Sequence, residues 1–248
     1  MKPSADVGCF PTGRHYPGIA HLLRVSAAGI AEEFDGAAVV AELPIVCVDT
    51  ETTGRDSGTD RIVEIACVRW ENGAVVRRDN WLVNPGIPIP KEAFDVHGIS
   101  DDDVRDAKSF SGIAREVIQA LSGAVPMAYN APFDRSFLLA ELSRAEVEMP
   151  EPPPACRRGV DWFDPLTWAR EIQKYEKGKS LGDVCGRLGI EMAQAHRASD
   201  DAEAALSVFH ALRVDPRVPS TYAALVQEQR RLARAHDEER ARWRSARG

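Results

Sequence analysis

The dipeptide Asn72-Gly73 most constrains the fold, because it lies between two segments with the composition of β-strands. Arg61 to Trp70 and Ala74 to Val83 are rich in the β-branched and aromatic residues that favour strands. Asn-Gly flanked by such segments is the strongest short-range signal for a two-residue hairpin turn. The two segments are therefore predicted to pair as an antiparallel hairpin within a β-sheet.

Strand and helix patterns alternate around this hairpin. Three short apolar runs predict further strands, at 45–48, 124–129 and 160–163. Apolar spacing and helix-start signals predict helices, at 109–121, 130–145, 165–174, 181–188 and 199–212. This order favours an α/β fold, with a mixed five-stranded sheet flanked by helices.

The chain has 248 residues, which suits one medium domain with extensions. The domain is predicted over residues 44–213. Residues 1–43 are predicted to form an N-terminal docking extension that is partly helical, between Pro17 and Phe34. Residues 214–248 are predicted to form a charged C-terminal tail. It begins with a boundary at 214–220 that contains two prolines, and continues over 221–248 as a helix with a solvated face.

Composition narrows the classes of function. The net charge of −7 argues against a large basic groove for nucleic acid, although bound divalent cations can offset local negative charge. Five scattered cysteines without a CxxC pair argue against a disulfide framework and a thiolate zinc site, and favour a cytoplasmic setting. Because no apolar run approaches the length of a membrane span, no membrane partner is expected.

Asp49 and Glu51 follow the predicted strand at 45–48 and are two residues apart. Side chains two apart on a strand point to the same face, so these carboxylates should converge. Two adjacent carboxylates repel, and a hard divalent cation such as Mg²⁺ or Mn²⁺ removes that conflict. The alternative is a solvated strand end, because the pattern Asp-x-Glu is common.

Three further residues could complete such a site. Asp134 falls in the first turn of a predicted helix, where the helix dipole alone also favours a negative group. Asp201 falls in the first turn of the last predicted helix of the domain. Ser199 is predicted to cap the helix that carries Asp201. His196 precedes that helix on a predicted loop, and its ordinary pKa of about 6.5 suits a proton acceptor. The alternative for His196 is a surface histidine.

In this order, the residues resemble the DnaQ-like (DEDDh) 3′→5′ exonuclease superfamily, which includes the proofreading epsilon subunits of DNA polymerase III. The resemblance covers residues 44–213, and its main segments are Asp49-Thr50-Glu51-Thr52-Thr53-Gly54, Asn130-Ala131-Pro132-Phe133-Asp134, and His196 with Asp201. Lesser segments are Asn84-Pro85-Gly86, Val96-His97-Gly98-Ile99, and Ser180-Leu181 with Leu188-Gly189-Ile190. Relatives often carry His where Tyr129 stands, a difference that bears on substrate contacts rather than on the catalytic residues.

The resemblance implies a ribonuclease H-like fold and a two-metal mechanism. Two divalent cations, Mg²⁺ or Mn²⁺, would be held by Asp49, Glu51, Asp134 and Asp201, with Asp49 bridging both. Two cations about 3.5–4 Å apart can clamp the attacking and leaving oxygens of a displacement at phosphorus. The proton of the attacking water would go to His196.

The resemblance also implies contacts to the terminal nucleotide, from Thr52, His97 and Phe133. An aromatic ring such as that of Phe133 can stack on any base. Phe133 fits a core position equally well, and His97 fits an ordinary turn position equally well.

The function implied is hydrolysis of phosphodiester bonds from the 3′ end of DNA with release of nucleoside 5′-monophosphates, in proofreading or repair. One alternative is an exoribonuclease that trims RNA or short oligonucleotides, because a metal site grips phosphate and does not read the 2′-hydroxyl. Another is a non-catalytic nucleic-acid or polymerase docking module, which would have lost carboxylates that are all present here. The expected partners are a nucleic acid 3′ end and, through the tails, a DNA polymerase or replication protein.

Overall fold

The computed structural model describes residues 28–192 and 197–245. At its centre lies a sheet of four strands, β1 (Ile45–Thr52), β2 (Ile62–Glu71), β3 (Ala74–Leu82) and β4 (Val125–Met127). The spatial order is β3-β2-β1-β4, in which β4 runs parallel to β1 and the other neighbours are antiparallel. The predicted mixed sheet is confirmed, with four strands in place of five.

Helices flank this sheet. In chain order they are α1 (Lys91–His97), α2 (Asp101–Val104), α3 (Phe110–Leu121), α4 (Ala131–Arg144), α5 (Pro165–Ile172), α6 (Leu181–Leu188), α7 (Ala198–Leu212) and α8 (Tyr222–Ser245). Single 3-10 turns lie at Val40–Glu42 and Pro154–Cys156. Each helix predicted between 109 and 212 is present, with ends within a few residues of those expected.

The hairpin between β2 and β3 has the turn that its sequence predicts. Asn72 and Gly73 both adopt positive φ, of 51° and 85°. A type I′ turn requires positive φ at both central residues, and its twist matches that of the two strands. The dipeptide therefore fixes the register in which β3 pairs with β2.

The strand β1 is buried on both faces along its first half. Ile45 and Cys47 pack with α7 in one apolar cluster, and Val46 and Val48 pack with α3 and α4 in another. Because side chains alternate along a strand, the faces continue past residue 48. Odd-numbered positions of β1 thus face α7, and even-numbered positions face α4.

The predicted fifth strand at 160–163 is wrong. Phe163 makes a single parallel bridge to Met127 of β4, after which the chain enters α5. On either side of Phe163 the backbone bonds to a side chain. Gln229 accepts from Asp164 N at 2.9 Å and donates to Trp162 O at 2.8 Å. These two groups point away from β4, because successive residues of a strand bond to opposite sides. The next residue that would pair with β4 is Asp161, but its N–H donates to Gly29 O at 2.7 Å, so the pairing is limited to Phe163.

The described part of the N-terminal extension packs against the start of α8. Residues 28–34 form turns, where a helix was predicted, and the rest of that predicted helix, 17–27, lies outside the described residues. Ala31 N donates to the Tyr222 hydroxyl and Tyr222 N donates to Ala38 O, both at 3.0 Å. Val39 also forms a bridge with Thr221. These contacts join segments from both ends of the chain.

The helix α8 covers most of the predicted tail, and its two halves differ in burial. The first half contributes buried side chains to the core, from Tyr222, Leu225, Val226, Gln229 and Leu232. The second half is almost wholly exposed, as expected for a charged helix. No helix in the described part of the chain has the length and apolar character needed to cross a bilayer.

Candidate metal centre at the end of β1

Three carboxylates meet where β1 emerges from the core. Asp49 and Glu51 occupy odd positions of β1 and so face α7, whose first turn carries Asp201. One carboxylate oxygen from each of the three residues lies within 4.8 Å of the other two. All three residues are half-buried. The structure thus brings together residues that are far apart in the sequence.

Asp134 approaches the same site from the other face of the sheet. It lies in the first turn of α4 and is buried, and its carboxylate accepts a hydrogen bond of 2.9 Å from the Thr50 hydroxyl. The strand β4 pairs with β1 only as far as Cys47. The start of α4, which follows β4 closely, therefore lies beside the later part of β1.

The electrostatics of these carboxylates reflect their crowding. Burial, together with the charges of Asp134, Asp201 and Glu51, holds the pKa of Asp49 well above its usual range. Burial and the carboxylates of Asp201, Glu64 and Asp134 raise the pKa of Glu51 to about 8. Burial also raises the pKa of Asp134 to about 7, although the hydrogen bond from Thr50 opposes this.

Such a cluster suits a hard divalent cation. Carboxylate oxygens are the ligands that Mg²⁺ and Mn²⁺ prefer, and a bound cation reverses the repulsion that raises these pKa values. The closeness of Asp49, Glu51 and Asp201, with Asp134 alongside, therefore fits the metal that the sequence implies.

His196 lies in the segment 193–196, outside the described residues. The chain resumes at Arg197, and α7 begins at Ala198, one residue earlier than predicted. Ser199 consequently lies inside the first turn, and the prediction that it caps the helix is wrong. The N–H of Ala198 instead donates to the Glu64 carboxylate at 3.2 Å.

The three residues expected to touch a nucleotide are engaged within the fold. The Thr52 hydroxyl donates to Gly54 O at 2.5 Å. His97 is buried at the end of α1, where its Nδ1 accepts from Ile99 N at 3.0 Å. The Phe133 ring is half-buried, with its centroid 4.9 Å from that of Phe137. Their contacts to substrate stay a prediction.

Glu64 is a residue that the sequence reasoning missed. It lies on β2 directly across from Glu51, and its side chain is fully buried. It accepts hydrogen bonds from Asn80, Arg197 and the backbone of Ala198. Burial opposes ionisation of Glu64, but the bonds from Arg197 and Asn80 outweigh it and lower its pKa. The signal was a lone charge within an apolar strand, since such residues are buried only when paired.

A second buried glutamate anchors α4. Glu141 accepts from Arg61 Nε at 2.6 Å and from Arg61 Nη2 at 3.0 Å. Arg144 adds an ion pair to the same carboxylate at 3.3 Å. This network ties the last turn of α4 to the start of β2, about two turns along the helix from Asp134.

Comparison with known families gives one match that covers most of the chain. The model of the exonuclease family RNase_T matches residues 46–209, which include Asp49, Glu51, Asp134, His196 and Asp201. Two curated proteins illustrate the relatives. The 3′-5′ exonuclease DinG of Bacillus subtilis is 32% identical over 165 residues. A DNA polymerase III subunit epsilon-like protein of Rhodobacter capsulatus is 34% identical over 213 residues.

These curated relatives are much longer than the matched region. The alignments cover 66% of this chain and 17% of DinG, and 80% of this chain and 29% of the epsilon-like protein. The chain therefore spans less than a third of the length of either relative.

Among solved structures, exonuclease X in complex with 5′ overhanging duplex DNA superposes with a TM-score of 0.54 and 25% sequence identity. The match covers 73% of this chain and 98% of exonuclease X. The ribonuclease H-like exonuclease fold expected from the sequence is thereby confirmed.

Proposed function

The chain belongs to the exonuclease family, and we propose that it is a metal-dependent 3′→5′ exonuclease that removes nucleoside 5′-monophosphates from the 3′ end of DNA. The observation that carries this proposal is the meeting of Asp49, Glu51 and Asp201, with Asp134 beside them. A chain that only bound nucleic acid would have no use for four crowded carboxylates. The non-catalytic alternative is therefore not favoured.

The four carboxylates would hold two divalent cations, Mg²⁺ or Mn²⁺. When bound, such cations stabilise the charge on the attacking and leaving oxygens of the phosphodiester. The chain supplies the geometry, because β1 fixes two ligands on one face while α4 and α7 bring one each. Positioning of the reactants and stabilisation of charge account for most of the rate enhancement in enzymatic phosphoryl transfer.

We assign the proton transfer to His196. An imidazole with an ordinary pKa of about 6.5 is neutral at pH 7 and can accept a proton from the attacking water. His196 directly precedes Arg197 and α7, which bears Asp201. The chain thus connects the proposed proton acceptor to a proposed ligand through a short segment.

Thr52, His97 and Phe133 are proposed to contact the terminal nucleotide. DNA is favoured over RNA because exonuclease X was solved with DNA and the epsilon-like relative is named for a DNA polymerase. An association of this chain with a polymerase or replication protein, through its terminal segments, is part of the same proposal.

The test is digestion of a 5′-labelled single-stranded DNA oligonucleotide, with products resolved by length. Shortening from the 3′ end is expected with Mg²⁺ or Mn²⁺, and chelator should stop it. A 3′-blocked strand should resist digestion, and Asp49→Ala should be inactive. Activity that survives chelator would refute the metal role, and shortening of the blocked strand from its 5′ end would refute the polarity. A matched RNA strand cut faster than DNA would favour the exoribonuclease alternative.

A further inference from the structure

The fully buried Glu64 carboxylate joins three elements around the candidate metal centre. Asn80 Nδ2 of β3 donates to it at 2.8 Å. Arg197, next to α7, donates through Nη2 at 2.8 Å and through Nε at 3.3 Å. Ala198 N, at the start of α7, donates at 3.2 Å. One side chain on β2 thus contacts both the neighbouring strand and the beginning of a ligand-bearing helix.

These contacts take the place of a local helix cap. The first N–H groups of a helix have no partner within it, and a side chain of the capping residue usually accepts from them. Arg197 stands at the capping position of α7 and its own side chain makes no such bond. The Glu64 carboxylate accepts from Ala198 N instead, and a negative group at a helix N-terminus is also favoured by the helix dipole.

Asp201 lies one turn into this helix. Its backbone N–H donates to Arg197 O at 3.0 Å, so the bond that closes the first turn of α7 runs between the two residues. Glu51, whose carboxylate lies near that of Asp201, is directly opposite Glu64 in the β1–β2 pairing. Glu64 therefore connects the strand that lies beside Glu51 to the turn that holds Asp201.

We propose that Glu64 and Arg197 are a positioning pair that sets the start of α7 and thereby holds Asp201 at metal-binding distance from Asp49 and Glu51. This inference rests on the proposed function and assigns neither residue a contact with metal or substrate. A general stabilising role would predict no specific change in metal binding. The positioning role predicts weaker metal binding when the Glu64–Arg197 pair is broken, and no such change when the Glu141–Arg61 pair is broken.

The two partners are not equivalent. Glu64 without Arg197 is a buried charge without its counterion, placed beside the other carboxylates. Removing one partner of a buried ion pair is strongly destabilising, because the other charge stays buried without a counterion. Removing both charges leaves no isolated charge, so Glu64→Gln should partly rescue Arg197→Gln.

The experiment compares the full-length chain with Glu64→Gln, Arg197→Gln, the double variant and Glu141→Gln. The last is a matched control, because Glu141 is equally buried and ion-paired but lies away from the carboxylates. Mn²⁺ affinity is measured by titration calorimetry, alongside thermal unfolding and the kcat and KM for a DNA oligonucleotide. Loss of supporting residues around a metal typically weakens binding by about 10–100-fold.

Glu64→Gln is expected to lower Mn²⁺ affinity by about tenfold or more and to lower kcat more than it raises KM. Arg197→Gln should lower the Mn²⁺ affinity and kcat further, and the double variant should recover part of that loss. Glu141→Gln should lower the unfolding temperature but leave Mn²⁺ affinity unchanged. Arg197→Lys keeps the positive charge but offers a single ammonium group as donor, and it should bind Mn²⁺ with intermediate affinity. This variant tests the same role if Glu64→Gln does not fold.

Equal Mn²⁺ affinity in the wild type and in folded Glu64→Gln or Arg197→Lys would overturn the positioning role. So would an equal loss in Glu64→Gln and Glu141→Gln, because that result describes general destabilisation. A wild-type chain that binds Mn²⁺ but degrades no nucleic acid would instead overturn the proposed function, and the affinities of the variants would still decide the role of Glu64.

Discussion

Thr50 on β1 donates a hydrogen bond of 2.9 Å to the carboxylate of Asp134 on α4. Thr50 alternates with Asp49 and Glu51 along the strand, so its side chain points to the opposite face, where α4 packs. The strand therefore presents two carboxylates to α7 and fixes a third from its other side. This bond ties Asp134 to β1.

Thr50→Val tests that contact, because valine has nearly the shape of threonine but lacks the hydroxyl. Hydrogen bonds to charged groups contribute about 1.5–3 kcal/mol. We expect Mn²⁺ affinity and kcat to fall by about tenfold, as measured by titration and oligonucleotide digestion. Thr50→Ser keeps the hydroxyl and should remain close to the wild type. Wild-type affinity in Thr50→Val would show that Asp134 is positioned without this bond.

Asp49→Asn should change stability in opposite directions with and without metal. Without metal, burial and the carboxylates of Asp134, Asp201 and Glu51 oppose ionisation of Asp49, which makes folding at neutral pH less favourable. The neutral amide of the variant avoids that cost, so its unfolding temperature in chelator should rise. With Mn²⁺, the wild type should be stabilised through binding to the folded state, and the variant should not.

The matched control for this experiment is Asp95→Asn. Asp95 is an exposed carboxylate on α1, paired with Lys91. This variant should unfold within about 0.5 kcal/mol of the wild type and keep its response to Mn²⁺. A lower unfolding temperature for Asp49→Asn in chelator would contradict the picture of a cluster held together against repulsion.

The stability of the metal-free chain should fall as the pH rises. The pKa of Glu51 is raised to about 8 and that of Asp134 to about 7, so both groups hold protons in the folded state that they lose in the unfolded chain. A carboxyl with a raised pKa contributes stability at low pH that is lost as the pH rises through the folded pKa. The loss should extend from about pH 4.5 to about pH 8.

Unfolding temperatures in chelator, taken at intervals across this window, measure that loss. Other groups also titrate, so the informative quantity is the difference between the wild type and Glu51→Gln. The unfolding temperature of Glu51→Gln should fall less steeply with pH than that of the wild type. Mn²⁺ should flatten the wild-type curve because it replaces protons at the carboxylates. Parallel curves for the two proteins in chelator would rule out a raised pKa at Glu51.

His196→Ala should separate chemistry from metal binding. The histidine is proposed to accept a proton and not to bind the cations, so Mn²⁺ affinity should stay within about twofold of the wild type while kcat falls by about 10²–10⁴-fold. Single-turnover digestion at saturating Mn²⁺ is the measurement. His210→Ala is a control, because His210 lies near the C-terminal end of α7, where its ring packs against that of Trp70 on β2. Unchanged turnover in His196→Ala would remove the assigned proton acceptor.

Local rules predicted the parts of this fold whose causes are local. Asn72-Gly73 specified its turn because positive φ at both residues is a property of those two residues. The carboxylates Asp49 and Glu51 were placed on one face because strand periodicity depends only on the strand. That Asp201 joins them followed from the family pattern, and no local rule would have shown it.

The remaining errors have long-range causes. The segment at 160–163 has strand composition, but Asp161 N, which a longer strand would pair with β4, donates to Gly29 O. The side chain of Gln229, which is distant in sequence, bonds to the backbone at Trp162 and Asp164. Ser199 has the residue type of a helix cap, but Glu64 of β2 accepts from the first helical N–H. In both cases a side chain from another element satisfies the backbone, and single-sequence patterns carry little information about such contacts.

Gln229 should therefore add to the stability that the buried apolar side chains of α8 give the domain. Its side chain is buried and accepts from Asp164 N while it donates to Trp162 O. Gln229→Ala leaves both groups without this partner in a buried setting, and an unsatisfied buried polar group costs about 1–3 kcal/mol. We expect a loss of about 2 kcal/mol in the free energy of unfolding, measured by urea denaturation.

Gln227→Ala is the control for Gln229→Ala, because Gln227 lies two residues away on the same helix and is exposed. It should change stability by less than about 0.5 kcal/mol, since exposed positions away from special contacts tolerate substitution. Mn²⁺ affinity should be unchanged in both variants, because neither glutamine touches the carboxylates. An equal, small effect of both substitutions would mean that the backbone at Trp162 and Asp164 is satisfied without the Gln229 side chain.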